Sequence, residues 1–322
     1  MTRGMASKLS NAIARLNNLP YLLMGLATLL WGGHVVAGQL SIGQISPMSM
    51  TLLRWLVVCL LLGVTIRRRI IDEWPLIKPQ WKKLAILGTA GFTLFNALFY
   101  VAAQYTKAVN MAVLQGTYPI WVLLGMALFV RAPVSLAQLA GIIVTFCGGV
   151  IIASRGEIQT LLALSFNRGD VLILIATVIF AAYTIGLRDR PKTSALVMFF
   201  ALAAAAFVSS LPLLAIEMAM GQTFVPTPKG LAVLLFVSLG PSLLGQIFFL
   251  RSVELLGPAR TGVFYNLVPV FGALLAVAIL GEPFHLYHGV AFSLVLGGIW
   301  LSEYETFAAS QARAAGRRSV AG

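Results

Sequence analysis

Ten stretches of this chain are long and apolar enough to cross a bilayer. They cover residues 19–39, 47–66, 83–105, 108–130, 133–154, 170–188, 194–216, 230–252, 259–281 and 284–303. Each is close to the ~20 residues that a helix needs to span the hydrocarbon core. Lipid offers the backbone no hydrogen-bond partner, so a segment of this kind must satisfy its own N–H and C=O groups as a helix. Only 10% of the residues are charged, against about 25% in soluble domains, and the mean hydropathy is +0.91. The connections are short and leave no room for a soluble domain. The expected architecture is an all-α polytopic membrane protein with ten transmembrane helices. A tail over 1–18 precedes five helices over 19–154. A linker loop over 155–169 leads to five more over 170–303, and a tail over 304–322 follows.

The net charge of +13 is explained by placement and does not call for a nucleic-acid partner. If the N-terminus lies inside, 17 of the 23 Lys and Arg fall in cytoplasmic segments, among them Arg67, Arg68, Arg69, Lys82, Lys83, Arg188, Arg190, Arg317 and Arg318. The outer loops hold Lys107, Arg155, Arg168 and Lys229. Cytoplasmic loops carry the positive excess, so both termini are expected in the cytoplasm and the protein in the cell (inner) membrane. In the first tail, Met5, Leu9, Ile13 and Leu16 share a helical face beside Lys8 and Arg15. That pattern fits a helix lying on the anionic inner leaflet and equally a loose tail.

A sequence echo organises the rest. Met111–Val122 and Thr261–Gly272 lie 150 positions apart, each with a proline inside an apolar run, Pro119 and Pro269, and a polar residue four positions earlier, Gln115 and Tyr265. A proline within a helix removes a backbone donor and clashes with the carbonyl four residues back. The carbonyls of Gln115 and Tyr265 are therefore expected to be free, and in lipid a free carbonyl survives only against protein or a wet cavity. A packing kink satisfied by a neighbouring helix is the other reading. The same offset relates Asn96 to Gln246, Gln104 to Glu254, Pro133 to Pro283 and Gly148 to Gly298. Five helices per half force the second half to enter from the opposite side. Two inverted five-helix repeats around a central cavity follow, a construction that recurs in secondary transporters.

The cavity wall is expected from polar and aromatic residues inside the runs. Trp31 and His34 share a face of the first. Thr89, Thr93, Asn96, Tyr100 and Gln104 form one helical stripe in the third, which favours a lumen. Ser238, Ser242 and Gln246 answer in the eighth, and Gln115, Tyr118, Tyr183 and Tyr265 complete the set. The nine candidate substrate-binding residues are Trp31, His34, Asn96, Tyr100, Gln115, Tyr118, Tyr183, Gln246 and Tyr265. They form a neutral, ring-lined surface suited to neutral or zwitterionic amphipathic solutes. Arg54, near the outer end of the second run, is expected to snorkel or to bond loop carbonyls, with binding of a substrate carboxylate as the second choice. Small residues every four positions, Ala137, Gly141, Thr145, Gly149 and Ala153, face a similar row, Gly289, Ser293 and Gly297. They mark the fifth and tenth helices as a close-packed seam, within one protomer or between two in a homodimer.

Catalytic signatures are missing: no His-Glu-x-x-His, phosphate-binding loop or serine elbow occurs. Cys59 and Cys147 sit mid-run, which excludes a disulfide framework and a thiolate metal cluster. No cofactor and no metal are expected. Glu254, near an end of the eighth run, is read as a salt bridge or cap, and the carrier as uncoupled or weakly coupled.

Gly257-Pro258-Ala259, Pro269, Gly281-Glu282-Pro283 and Gly297-Gly298, with Trp31-Gly32, Arg54, Pro119 and Gly148-Gly149 in the first half, resemble the EamA-type drug/metabolite transporter superfamily. The resemblance covers about residues 20–303 and is most like the aromatic amino acid exporters. Arg131-Ala132 stands where that family often has Gly-Glu. The resemblance implies a ten-helix carrier whose first, third, fourth, sixth, eighth and ninth helices surround the cavity. The expected function is alternating-access export of small metabolites, amino acids first and hydrophobic or aromatic ones foremost. The alternatives are a multidrug or organic-cation efflux carrier and a non-transporting membrane receptor.

Overall fold

The structure is a computed structural model that describes residues 18–106, 111, 114–131, 134–154, 156–162, 167–280 and 283–320. The N-terminal amphipathic pattern, Pro133, and the Gly281-Glu282 turn lie outside the described residues.

Among the described residues all regular structure is helical. In chain order the helices are α1 (Pro20–Ser41), α2 (Pro47–Thr65), α3 (Arg67–Ala102), α4 (Tyr118–Val130), α5 (Leu136–Ala153), α6 (Ile158–Leu162), α7 (Arg168–Asp189), α8 (Ala195–Ala219), α9 (Pro228–Leu256), α10 (Pro258–Phe264), α11 (Leu267–Leu280) and α12 (Leu286–Val320). Helices α1, α2, α3, α7, α8 and α9 are each long and apolar enough to cross a membrane, and Tyr118–Val130, Leu136–Ile151 and Leu286–Ser302 are shorter apolar helices.

Local chemistry sets the ends. Pro20, Pro47, Pro228 and Pro258 open their helices, where a missing N–H costs nothing. Asn167 caps α7 by accepting from the N–H of Gly169 and Asp170, while Asp170 returns a bond to the Asn167 N–H. Arg131 closes α4 with φ +54°, the left-handed conformation that favours glycine at a helix C-terminus.

Three expectations change. The third helix begins at Arg67, not near Lys83, because Arg67–Ile77 is an amphipathic helix of about three turns with Ile71, Trp74 and Leu76 exposed, as suits a bilayer surface. The tail after 304 continues α12 to Val320, in keeping with its alanine-rich sequence. The prolines interrupt their runs instead of kinking them. Turns at Gly116-Thr117 and Tyr265-Asn266 precede fresh helices in which Pro119 occupies the first turn of α4 and Pro269 that of α11. Consequently the Tyr265 carbonyl is not free: it accepts from the Val268 N–H at 2.9 Å.

Helices α5 and α12 do pack within the chain, but not through the expected row: a β-carbon on Gly289 or Gly297 would meet nothing within 4 Å, and the contacts run through Gly298, Val295 and Ala291. A β-carbon on Gly141 would stand 2.5 Å from the Gly298 carbonyl, and one on Gly298 would stand 2.6 Å from the Thr145 side chain. Gly148 meets Val295 and Ala291 in the same way. Such contacts let α5 and α12 pack backbone to backbone.

Candidate functional site

Two helices that build the site carry wide turns at related positions. In α3 a π-helical turn covers Thr89–Leu94, and in α9 another covers Ser238–Gly245. A shift of 150 lays the first on 239–244. Wide turns of this kind arise when the i to i−4 ladder is broken. In α9 the cause is Pro241, which has no N–H and crowds the Val237 carbonyl. That carbonyl accepts instead from the Ser242 hydroxyl at 2.6 Å, and the Pro241 carbonyl accepts from the Trp31 indole N–H at 3.2 Å. In α3 the turn brings Gly91 under the Tyr183 ring, where a β-carbon would lie 2.3 Å from Cγ.

Between them lies a small chamber. Its wall comes from Trp31, His34 and Val35 of α1, Arg54 of α2, and Gly91, Phe95, Asn96 and Phe99 of α3. Gln115, Phe180 of α7, Gln246 of α9, and Tyr265 and Val268 complete it. The free volume is about 30 Å³, room for one or two waters.

Arg54 is the correction of most consequence. It does not snorkel. It is 3% exposed, seven residues or about 10 Å into α2. Its Nη1 donates to Asn96 Oδ1 at 2.6 Å and to the Tyr100 hydroxyl at 3.0 Å, and lies 3.3 Å from His34 Nε2; its Nε donates to Ser242 Oγ at 2.8 Å. Tyr100 and His34 Nε2 are 2.8 Å apart. With guanidinium and phenol both directed at it, Nε2 is the accepting nitrogen, and the imidazole carries its proton on Nδ1. The lining is therefore not uncharged, as the nine-residue set suggested.

Those nine residues separate into layers. Trp31, His34, Asn96, Gln115, Gln246 and Tyr265 line the chamber. Tyr100 stands behind His34 and Arg54. Tyr118 packs behind Tyr265 in a tilted arrangement, with ring centroids 4.5 Å apart, and its hydroxyl donates to Thr184 Oγ1 at 2.8 Å. Tyr183 is fully buried against Phe92 and Phe180, and its hydroxyl has no partner among the described residues. Tyr265 donates to Gln115 Oε1 at 3.2 Å. The stripe on α3 is not a continuous lumen, because Thr93 bonds the Ala206 carbonyl and Ser209 of α8 and so joins two helices.

Polar links join the first and second halves near the two ends of α8. At one end Glu217 accepts from the Ser46 hydroxyl at 2.6 Å and the Met48 N–H at 3.1 Å, and Thr227 donates to Gln44 at 2.6 Å. At the other, Glu73 accepts from the Ser194 N–H at 2.6 Å and from the Thr193 hydroxyl, and Lys83 bonds the Asp189 carbonyl. Desolvation pushes the Glu73 carboxyl up, but the bonds from Thr193 and Ser194, with Arg69 nearby, outweigh it and hold the group below the ordinary carboxylate value. Glu254 forms the expected salt bridge, 3.0 Å to Arg190 and 2.7 Å to Arg251.

The model of the EamA-like transporter family matches the chain twice, over residues 18–154 and 167–304. Among curated proteins, an uncharacterized transporter YyaM of Bacillus subtilis (strain 168) is 25% identical over 284 residues, 88% of this chain and 92% of that protein. An uncharacterized transporter of Archaeoglobus fulgidus is 25% identical over 294 residues, 89% of this chain and 98% of its own length. A solved structure described only as "Crystal structure of protein" shares the fold, with a TM-score of 0.70 at 17% identity over 88% of this chain and 96% of that one.

Proposed function

This chain belongs to the EamA-like transporter family, and on that premise we propose that it exports small metabolites by alternating access, amino acids first and hydrophobic or aromatic ones foremost. It is a multi-pass membrane transporter and not an enzyme. The observation that carries the finer reading is the chamber. Residues from both matched segments meet around it: five aromatic rings (Trp31, Phe95, Phe99, Phe180, Tyr265), five other hydrogen-bonding groups (His34, Arg54, Asn96, Gln115, Gln246), and Val35, Gly91 and Val268. Links near the two ends of α8 join the halves around it.

On this reading ten spans are arranged as two inverted halves, with both termini cytoplasmic in the inner membrane. Wide turns at the same offset and the Gln115–Tyr265 contact, which joins residues 150 apart, support it. A guanidinium in the wall weighs against efflux of organic cations.

The test is counterflow by purified protein in liposomes. Vesicles preloaded with unlabelled leucine or phenylalanine are expected to accumulate the labelled amino acid above protein-free vesicles. No accumulation for any hydrophobic or aromatic amino acid overturns the substrate assignment.

A further inference from the structure

The geometry points to Arg54 as the anchor for a carboxylate on the transported solute, so that the chamber selects amino acids and related monocarboxylates over neutral and cationic molecules. The inference deepens the carrier reading above and rests on it.

Arg54 is a buried cation with no acid to answer it. Among the described residues the ion pairs join Glu254 to Arg190 and Arg251, and none reaches Arg54. Its partners are neutral acceptors: an amide oxygen, a phenol, an imidazole nitrogen and a serine hydroxyl. They engage Nη1 and Nε. They leave Nη2 without a hydrogen-bond partner among the described residues. A desolvated charge is costly unless an opposite charge or a full set of hydrogen bonds meets it. A guanidinium presents its N–H groups in a fixed fork that matches a carboxylate. The unused donor and the unbalanced charge sit in the wall of the same chamber.

A second polar group there is unsatisfied. Gln246 is 7% exposed and lines the chamber, and its Oε1 has no partner among the described residues. An acceptor and a guanidinium in the wall of one chamber suit a zwitterion: carboxylate on Arg54, ammonium on Gln246. Once the chamber widens beyond the ~30 Å³ seen here, Trp31, Phe180 and Tyr265, with ring centroids about 6 Å apart or less, would give the solute's apolar body a surface to lie on. One cation matches one carboxylate, whereas a phosphate ester would call for more.

The experiment is counterflow of labelled phenylalanine by the full chain in liposomes, with competitors that differ in one group. Unlabelled phenylalanine is expected to compete. Phenylalanine methyl ester and phenethylamine, which lack the carboxylate, are expected to compete about 30-fold more weakly, the loss of one charge-assisted pair. 3-Phenylpropionate lacks only the ammonium. Its competition assigns recognition to the carboxylate alone, and its failure beside phenylalanine's success assigns it to the zwitterion; both keep Arg54 as anchor. Arg54→Lys is expected to raise the half-saturating phenylalanine concentration about tenfold while the folded yield is kept, and Arg54→Gln to erase the preference for the acid over the ester. Equal competition by acid and ester in the wild type overturns the inference and leaves the carrier standing. So does an Arg54→Lys that lowers only the maximum rate. If Arg54→Gln does not fold, the wild-type series and Arg54→Lys decide. A wild type that moves no member of the series overturns the amino acid assignment and this inference with it.

Discussion

The Tyr265 hydroxyl donates to Gln115 Oε1 at 3.2 Å, between residues 150 positions apart in the chain. Gln115 stands just before the break in its helical run, and Tyr265 is the first residue of the break in its own. On the proposed arrangement of two related halves, residues at one position of the repeat would touch each other only near the axis that relates the copies, which is where this bond would fall. Tyr265→Phe is expected to lower thermal stability by about 1 kcal/mol, the net worth of one buried hydrogen bond. Gln115→Leu in the Tyr265→Phe background should cost less than Gln115→Leu alone. Detergent-solubilised unfolding of the four proteins measures that coupling.

Gly91 keeps the Tyr183 ring in place because it has no side chain. A methyl group there would sit 2.3 Å from ring carbon Cγ, and either the ring or α3 must move. Gly91→Ala is expected to destabilise the protein by about 1–3 kcal/mol and to abolish counterflow. Unfolding and flux assays on one preparation check both.

Arg131 holds a left-handed backbone at the end of α4. A non-glycine residue bears roughly 1–2 kcal/mol there. Arg131→Gly is expected to raise the melting temperature with flux unchanged.

The Glu73 link to Thr193 and Ser194 joins the first half to the second at one end. A carboxyl whose folded value is depressed adds stability above its unfolded value, near 4.5, and loses that stability as the pH falls through the folded value. Acidification below about pH 4.5 is therefore expected to weaken this end, and Glu73→Gln to remove that part of the pH dependence. Unfolding midpoints between pH 3 and 7 (roughly the carboxylate range) test it.

The helices were legible because lipid demands them: α1, α2, α7, α8 and α9 fall within a few residues of the apolar runs. Six of the nine wall residues were legible from polarity inside those runs. Tyr118 and Tyr183 were not told apart from the wall, because a buried ring and a lining ring have the same sequence signature. Arg54 was misplaced for a related reason. Its position along α2 was readable, but the face it turns depends on acceptors from three other helices, Asn96, Tyr100, His34 and Ser242. The one available hint was a charge inside a span, which is a functional residue by default. The helix breaks at Pro119 and Pro269 were read as kinks because the proline pattern alone does not say whether the preceding turn stays helical.

The central claim is that this chamber opens to each face in turn. Val35 lies in its wall, and Cys59 and Cys147 can be replaced to leave a single Val35→Cys thiol. Membrane-impermeant maleimide should label that thiol when added from the cytoplasmic side of inverted vesicles and also from the outer side of intact cells, with substrate slowing both reactions. Labelling from one side alone under every condition, or from neither, would contradict the account.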